Sequence, residues 1–316
     1  MLPSKEAVLP AGKAPGGHYS GRVGEGGLRL DRYVAEKLKL LSRSQLKARV
    51  LEIKVNGKRA KLSQPLKGGD ALELSWTDPP PSDLIPEDLP LDILYEDDRV
   101  VVVNKSQFMV VHPGAGNPRG TLANALLYRR LARGRGGEGF RPGIVHRLDK
   151  DTSGVIIAAY DDEALAFLAD QFRSRRVRKI YGAIVRGTPR EAAGTVETRI
   201  IRDSRNRLRF TVSESRGRIA LTRYRVIRSW GAYSLLILRP RTGRTHQLRV
   251  HLRHLGHPIL GDPVYGFRED RFPQASLMLH AKSLSLRLPG EADYRTFRTP
   301  LPDRFLEVLG TLRRTR

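Results

Sequence analysis

The chain has 316 residues, with 57 Lys+Arg against 33 Asp+Glu, eight His and no Cys; that length suits two ordinary domains or one large domain with an appendage. Hydrophobic residues make up 40%, enough to bury a core and to exclude wholesale disorder, while the missing cysteines exclude disulfides, thiolate zinc sites, iron–sulfur clusters and a cysteine nucleophile. No run approaches ~18 apolar residues and the N-terminal stretch lacks an apolar signal core, so the expectation is a cytoplasmic chain with no membrane partner.

The formal net charge, 57 − 33 = +24, exceeds what solubility needs and points to a polyanion. Residues 173–228 alone hold 17 Lys/Arg and four acids. A concentrated stripe suits an RNA-facing surface better than an even enrichment in Arg from biased base composition.

Residues 1–27 contain seven Gly and three Pro without apolar periodicity and read as a flexible leader. Leu30, Tyr33, Val34 and Leu38 then fall at helical spacing, and Ser42 or Ser44 can cap a second helix running to about Leu51. The run from Ile53 to Leu62 alternates around Asn56-Gly57, a two-residue hairpin signal, and Ala71–Trp76 reads as a last strand. Residues 28–76 thus form a small α+β module. Asp78-Pro79-Pro80-Pro81-Ser82 can continue neither helix nor strand, which places a linker at 77–89.

The larger domain, 90–312, shows strand-like runs at Val100–Val103, Val155–Ala159, Tyr181–Val185, Ala220–Ile227 and Tyr233–Leu238. Helical patterns occur at Leu122–Leu131, Glu163–Arg173 and His246–Leu255. This mixed order predicts an α+β domain on a mixed, largely antiparallel sheet with flanking helices. In the last helix Leu248, Leu252 and Leu255 share one face while His246, Arg249 and Arg253 share the opposite one, and Gly256 stands where a helix C′ residue belongs. One face is core and the other can look into a cleft.

The sharpest segment runs from Gly143 to Gly154 and packs His146, Arg147, Asp149, Lys150 and Asp151 between the apolar runs Ile144-Val145 and Val155–Ala159. Charges placed so need partners, in a cleft or in a salt-bridged turn, and composition leaves both open. Three features are set aside. Gly134 to Gly139 fits a dinucleotide-binding glycine pattern, but Phe140-Arg141-Pro142 follows instead of a helix start. His246, His251, His254 and His257 lack cysteine partners and do not converge on one helix face, so no metal is expected. Asn104-Lys105-Ser106 fits a glycosylation acceptor, which carries no meaning in a cytoplasmic chain.

His146-Arg147-Leu148-Asp149, followed by Thr152-Ser153-Gly154, resembles the signature of the RluA-type pseudouridine synthases, which isomerise uridine in RNA. Further stretches match in the family's order: Val111-His112-Pro113-Gly114-Ala115-Gly116, as in the RluD-like branch, then Arg178-Lys179-Ile180-Tyr181-Gly182-Ala183. Last come Arg241-Thr242-Gly243-Arg244-Thr245-His246-Gln247-Leu248-Arg249 and His257-Pro258-Ile259-Leu260-Gly261-Asp262. The 28–76 segment resembles the S4-type RNA-binding module, through its two helices, the basic residues Arg32, Arg43, Lys47 and Arg49, and the Val55-Asn56-Gly57 turn. One departure is Ser106, where the family usually has Pro; its loss is expected to loosen that loop.

The resemblance implies an RNA pseudouridine synthase acting on large-subunit ribosomal RNA, with no cofactor, because the isomerisation consumes neither electrons, phosphate nor water. It implies Asp149 as nucleophile, Arg249 as its cationic neighbour and Tyr181 stacked on a flipped base, with a further part in removing the carbon-bound proton. Arg147 would fill the vacated stack, and His146, Leu248 and Arg244 join Arg32, Arg43 and Lys47 as RNA contacts. Two rival readings are a non-catalytic RNA-binding or ribosome-assembly factor, and a glycosidase-like hydrolase. The hydrolase needs two carboxylates, of which Asp151 would be the second.

Overall fold

A computed structural model describes residues 16–41, 43–77, 84–114, 116–135, 142–206, 208–267 and 269–314. The N-terminal part of the expected leader, the caps expected from Ser42 or the Ser44 side chain, the core of the proline linker and most of the Gly134–Gly139 loop lie outside them. Contacts divide the chain into two units, Met1–Pro81 and Ser82–Arg316.

In the first unit β1 (Gly17–Arg22) precedes α1 (Leu30–Arg32), which runs on as a π-helical stretch, Tyr33–Leu38. Then come α2 (Arg43–Arg49), β2 (Val50–Val55), β3 (Lys58–Arg59) and β4 (Ala71–Trp76). The sheet order is β1-β4-β2-β3. Asn56 and Gly57 both take positive φ, 54° and 73°, the conformation a two-residue hairpin of this kind demands. The leader reading needs correction: Gly17–Arg22 pairs antiparallel with Ala71–Trp76 along its whole length. Its glycines blur the sequence pattern, and backbone hydrogen bonds with an existing edge supply the order instead. Leu30, Val34, Leu46, Leu66, Leu72 and Leu74 form the core beneath.

The second unit contains β5 (Asp92–Glu96), β6 (Val100–Lys105), α3 (Leu122–Ala132), β7 (Gly143–Ile144), β8 (Ser153–Ala159) and α4 (Asp162–Arg173). It continues with β9 (Arg178–Arg186), β10 (Ala193–Arg202), β11 (Phe210–Ser213), β12 (Arg218–Ser229) and β13 (Tyr233–Pro240). Last are α5 (Gln247–His254), β14 (Leu279–Leu286), β15 (Arg295–Arg298) and α6 (Asp303–Arg314). Among the described residues the strands form one sheet in the order β11-β10-β12-β13-β9-β14-β8-β6-β5, with β15 on β14 and β7 on β8. Every pairing is antiparallel except β8 with β14. The expected mixed, largely antiparallel α+β sheet is therefore observed.

Part of the expected linker belongs to this unit. Asn124 Nδ2 donates to the Ile85 carbonyl at 2.7 Å, and Glu87 accepts from Gly120 N–H at 2.9 Å. The 84–89 segment is thus tied to α3, because the proline run ends before it and its backbone groups find partners. Leu236, Leu238, Leu252, Phe305 and Leu309 pack one core region, and Val100, Val102, Ile157, Leu168 and Leu286 another.

Candidate active site

Asp149 lies in the loop between β7 and β8, and three anchors fix that loop. Leu148 is buried in the core beside it. Lys105, at the end of β6 and fully buried, directs its Nζ to the carbonyls of Ser106 (2.8 Å), Met109 (2.8 Å) and Lys150 (3.3 Å). Burial pushes its pKa down to about 7, while the charges of Asp149 and Asp151 oppose that fall. Gln107 Nε2 donates to the carbonyls of Asp151 (3.0 Å) and Leu277 (3.2 Å), and its Oε1 accepts from Ser276 at 2.9 Å. The loop expected to loosen without its proline is therefore held by side-chain hydrogen bonds.

The second wall comes from the segment between β13 and α5. Gln247, buried at the start of α5, accepts from Thr242 Oγ1 (2.8 Å) and from Arg244 N–H (3.0 Å) and donates to the Leu221 carbonyl (3.1 Å). This fixes the approach to His246, which takes a left-handed backbone at φ 54°. Arg249 follows on the first turn of α5. The sequence placed it on a polar face open to a cleft; the structure buries it to 2% exposure. Its fork holds Asp262 bidentately, Nε to Oδ2 at 2.8 Å and Nη2 to Oδ1 at 2.6 Å, and its guanidinium lies 5.2 Å from the centre of the Tyr265 ring. Nη1 reaches Asp149 Oδ2 at 3.5 Å. Burial alone would lower the pKa of Arg249, but the bonds to Asp262 and the charges of Asp262 and Asp149 outweigh it and raise the value.

Tyr181 stands on β9, opposite Leu238 of β13 and Ala281 of β14, and faces the same cleft. Burial, reinforced by the negative charge of Asp149, raises its pKa and keeps it a neutral phenol. The cleft measures about 520 Å³, within the range of small-ligand sites. Among the described residues its lining carries eight Lys/Arg (147, 173, 175, 179, 218, 241, 244 and 249) and a single acid, Asp149. Asp151 does not line it, so the two-carboxylate arrangement expected of a hydrolase is not formed there.

The remaining expected contacts divide. Arg147 is exposed on the lining, Leu248 is 7% exposed between cleft and core, and Arg244 donates from Nε to the Ile219 carbonyl at 3.0 Å. Burial, with Arg218 and Arg175 nearby, lowers the pKa of Arg244. His146 also lines the cleft, but its ring stacks on Phe172 at 4.5 Å and its Nε2 accepts from Ile157 N–H at 3.1 Å. Burial and the Lys179 charge bring its pKa to about 3, so it serves as a neutral packing element. In the first unit Arg32 pairs with Glu36 and Arg43 with buried Asp31, while Lys47 is exposed. His251 bonds Thr222 and Thr198, at 3.0 Å each, and does not join His246. Sequence reasoning did not single out Asp262, Tyr265, Lys105 or Lys179. The last lines the cleft with its pKa brought to about 8 by burial.

A sequence profile of the family described as RNA pseudouridylate synthase matches residues 99–254. The chain is 43% identical to "Ribosomal large subunit pseudouridine synthase D" of Borreliella burgdorferi, over 91% of this chain and 90% of that protein. It is 47% identical to an "Uncharacterized RNA pseudouridine synthase" of Chloroflexus aurantiacus, over 87% and 86% of the two chains. Among solved structures, "Human RNA Pseudouridylate Synthase Domain Containing 4" covers 70% of this chain and 93% of its own, with 30% identity and a TM-score of 0.58.

Proposed function

Since the chain belongs to the RNA pseudouridylate synthase family, we propose that it isomerises uridines of large-subunit ribosomal RNA in the cytoplasm, with Asp149 as the nucleophile. The observation that carries this reading is the carboxylate of Asp149, the single acid among eight cations that line the cleft among the described residues. Phosphates are drawn to such a lining, and a single acid among them has a chemical use rather than a solubilising one.

A uridine enters after flipping out of its stack, at a cost of a few kcal/mol that contacts in the cleft offset. Tyr181, held as a neutral phenol, offers the base a stacking face and is a poor proton acceptor. The Asp149 carboxylate displaces N1 from C1′; the freed uracil turns, C5 takes C1′ and releases the carboxylate, and the C5 proton is replaced by one on N1. Atoms balance without a cofactor. Arg147, exposed at the lining, fills the space the base leaves. The first unit acts as an S4-type RNA-binding module, Arg32, Arg43 and Lys47 being its candidate contacts.

The test is a map of pseudouridines in total RNA from cells with the gene, without it, and with Asp149→Asn. Loss of the same large-subunit positions in the last two is the expected result. Unchanged positions in the deletion strain would refute the substrate, and full modification by Asp149→Asn would refute the nucleophile.

A further inference from the structure

His246 belongs to the cleft but has no part in the steps above, and its backbone is unusual. It initiates α5 at φ 54° and ψ 17°, with no side-chain cap. Left-handed backbone at a non-glycine residue costs free energy and persists where surrounding structure enforces it, often at functional positions. Here the Gln247 hydrogen bonds enforce it.

Two contacts define the ring. Nδ1 lies 3.0 Å from the Tyr265 hydroxyl, and Nε2 lies 3.9 Å from Asp149 Oδ2. Tyr265 Oη already accepts from Phe210 N–H at 2.8 Å. Its single proton has no other acceptor among the described residues, so it is donated to His246 Nδ1. A neutral imidazole that accepts at Nδ1 carries its own proton on Nε2. That nitrogen is the one 3.9 Å from Asp149 Oδ2. Burial favours the neutral ring, with the charge of Asp149 acting against it and that of Arg249 reinforcing it.

Arg249 Nη1 approaches the same oxygen, Oδ2, at 3.5 Å. No hydrogen bond is made to Oδ1 among the described residues. We propose that His246, in the tautomer set by Tyr265, is a positioning residue that holds Oδ2 of Asp149 and leaves Oδ1 directed at the substrate. The inference rests on Asp149 being the nucleophile. A separation of 3.9 Å is longer than a hydrogen bond, and such contacts tighten when substrate fills a site. Asp149 is a short side chain with two rotatable bonds, and a carboxylate free to rotate would present its reacting oxygen for a fraction of the time.

The experiment measures single-turnover rate and RNA dissociation constant on a short uridine-containing stem-loop, using full-length protein. His246→Ala should lower the rate about tenfold to a hundredfold with affinity changed less than about twofold, whereas His246→Gln, which keeps an N–H at the Nε2 position, should stay within about threefold of wild type. Tyr265→Phe should slow the wild-type background about fivefold but change the His246→Gln background by less than about twofold, since an amide needs no tautomer to be set. A merely structural Tyr265 would cost the same in both backgrounds, and that result overturns the proposal even if His246→Ala folds poorly. So does a His246→Gln rate as low as that of His246→Ala. Turnover by Asp149→Asn would remove the premise itself; a silent Asp149→Asn beside a fully active His246→Ala would remove His246 alone.

Discussion

Arg249 commits two nitrogens to Asp262, at 2.8 and 2.6 Å, and extends a third to Asp149 at 3.5 Å. The cation beside Asp149 is therefore held by a different, fully buried carboxylate, which also accepts from Val264 N–H and Tyr265 N–H. Coulomb attraction alone would let Arg249 collapse onto Asp149; the bidentate grip prevents that and leaves Asp149 available.

Stability should follow the grip on Asp262 rather than the contact with Asp149. Removing Asp262 with Ala leaves a buried guanidinium without its main partner and should cost about 3–5 kcal/mol. Double-mutant cycles by urea denaturation should give a coupling of about 2–3 kcal/mol for Arg249 with Asp262 and less than about 1 kcal/mol for Arg249 with Asp149. Equal couplings would mean that the 3.5 Å contact carries as much as the fork.

Lys105 joins three carbonyls from two loops. Lys105→Met fills its volume but orphans acceptors on Ser106, Met109 and Lys150, each at a cost of about 1–3 kcal/mol if it stays dry. Lower stability together with a slower single-turnover rate is expected, because Lys150 adjoins Asp149. A variant as stable and as fast as wild type would show that the amine is replaceable.

The histidines make the fold acid-sensitive. Burial lowers the pKa of His146 to about 3 and of His251 and His280 to about 4, with nearby cationic groups adding to the fall. Each takes up a proton on unfolding at any pH between its folded value and the ordinary 6.5. The histidines' contribution to stability is therefore full above about pH 6.5 and declines below it, by about 1.4 kcal/mol per pH unit for each proton taken up. Urea midpoints followed through Trp230 fluorescence in a Trp76→Phe background should fall between pH 7 and pH 5. A level midpoint would contradict the neutral, buried rings.

Deleting Met1–Pro81 should weaken RNA affinity and flatten its dependence on salt. Residues 28–76 carry 12 Lys/Arg and five acids, and neutralised phosphates release counterions in proportion to the cations that meet them. Arg32 and Arg43 already pair within the unit, so Lys47→Glu should cost more than Arg32→Glu. Turnover on saturating short RNA should survive. An unchanged slope of log affinity against log salt would show that this unit does not touch RNA.

Much of the architecture was legible where side-chain period and environment agreed. Ala71–Trp76 alternates as a half-exposed strand should, and Asn56-Gly57 marks the turn between β2 and β3 chemically. Strand β14 was illegible because almost all of it is buried on both faces, His280, Ser283 and Ser285 included; polar residues in a central strand erase the period. Arg249 was found, but helical periodicity describes one element at a time. It could not show that the loop after α5 returns Asp262 and Tyr265 over the same helix and buries the arginine. Nor does any local pattern announce that His246 adopts a left-handed backbone, since its cause is the side chain of the next residue bonding backward.

The place of β14 has a consequence for when the enzyme comes into being. Asp149 adjoins β8, Tyr181 lies on β9, and the strand between them is β14, Leu279–Leu286. Parallel pairing of β8 with β14 joins Ser153 to His280, a separation in sequence that costs loop-closure entropy and is made late. As the chain is translated from its N-terminus at about 5–20 residues per second, both halves of the cleft emerge well before the strand that unites them. Until then a nascent chain can present its basic surfaces to RNA but cannot bring Asp149 to Tyr181. Premature termination between Arg249 and Leu279 should therefore yield fragments that bind RNA and leave every uridine intact.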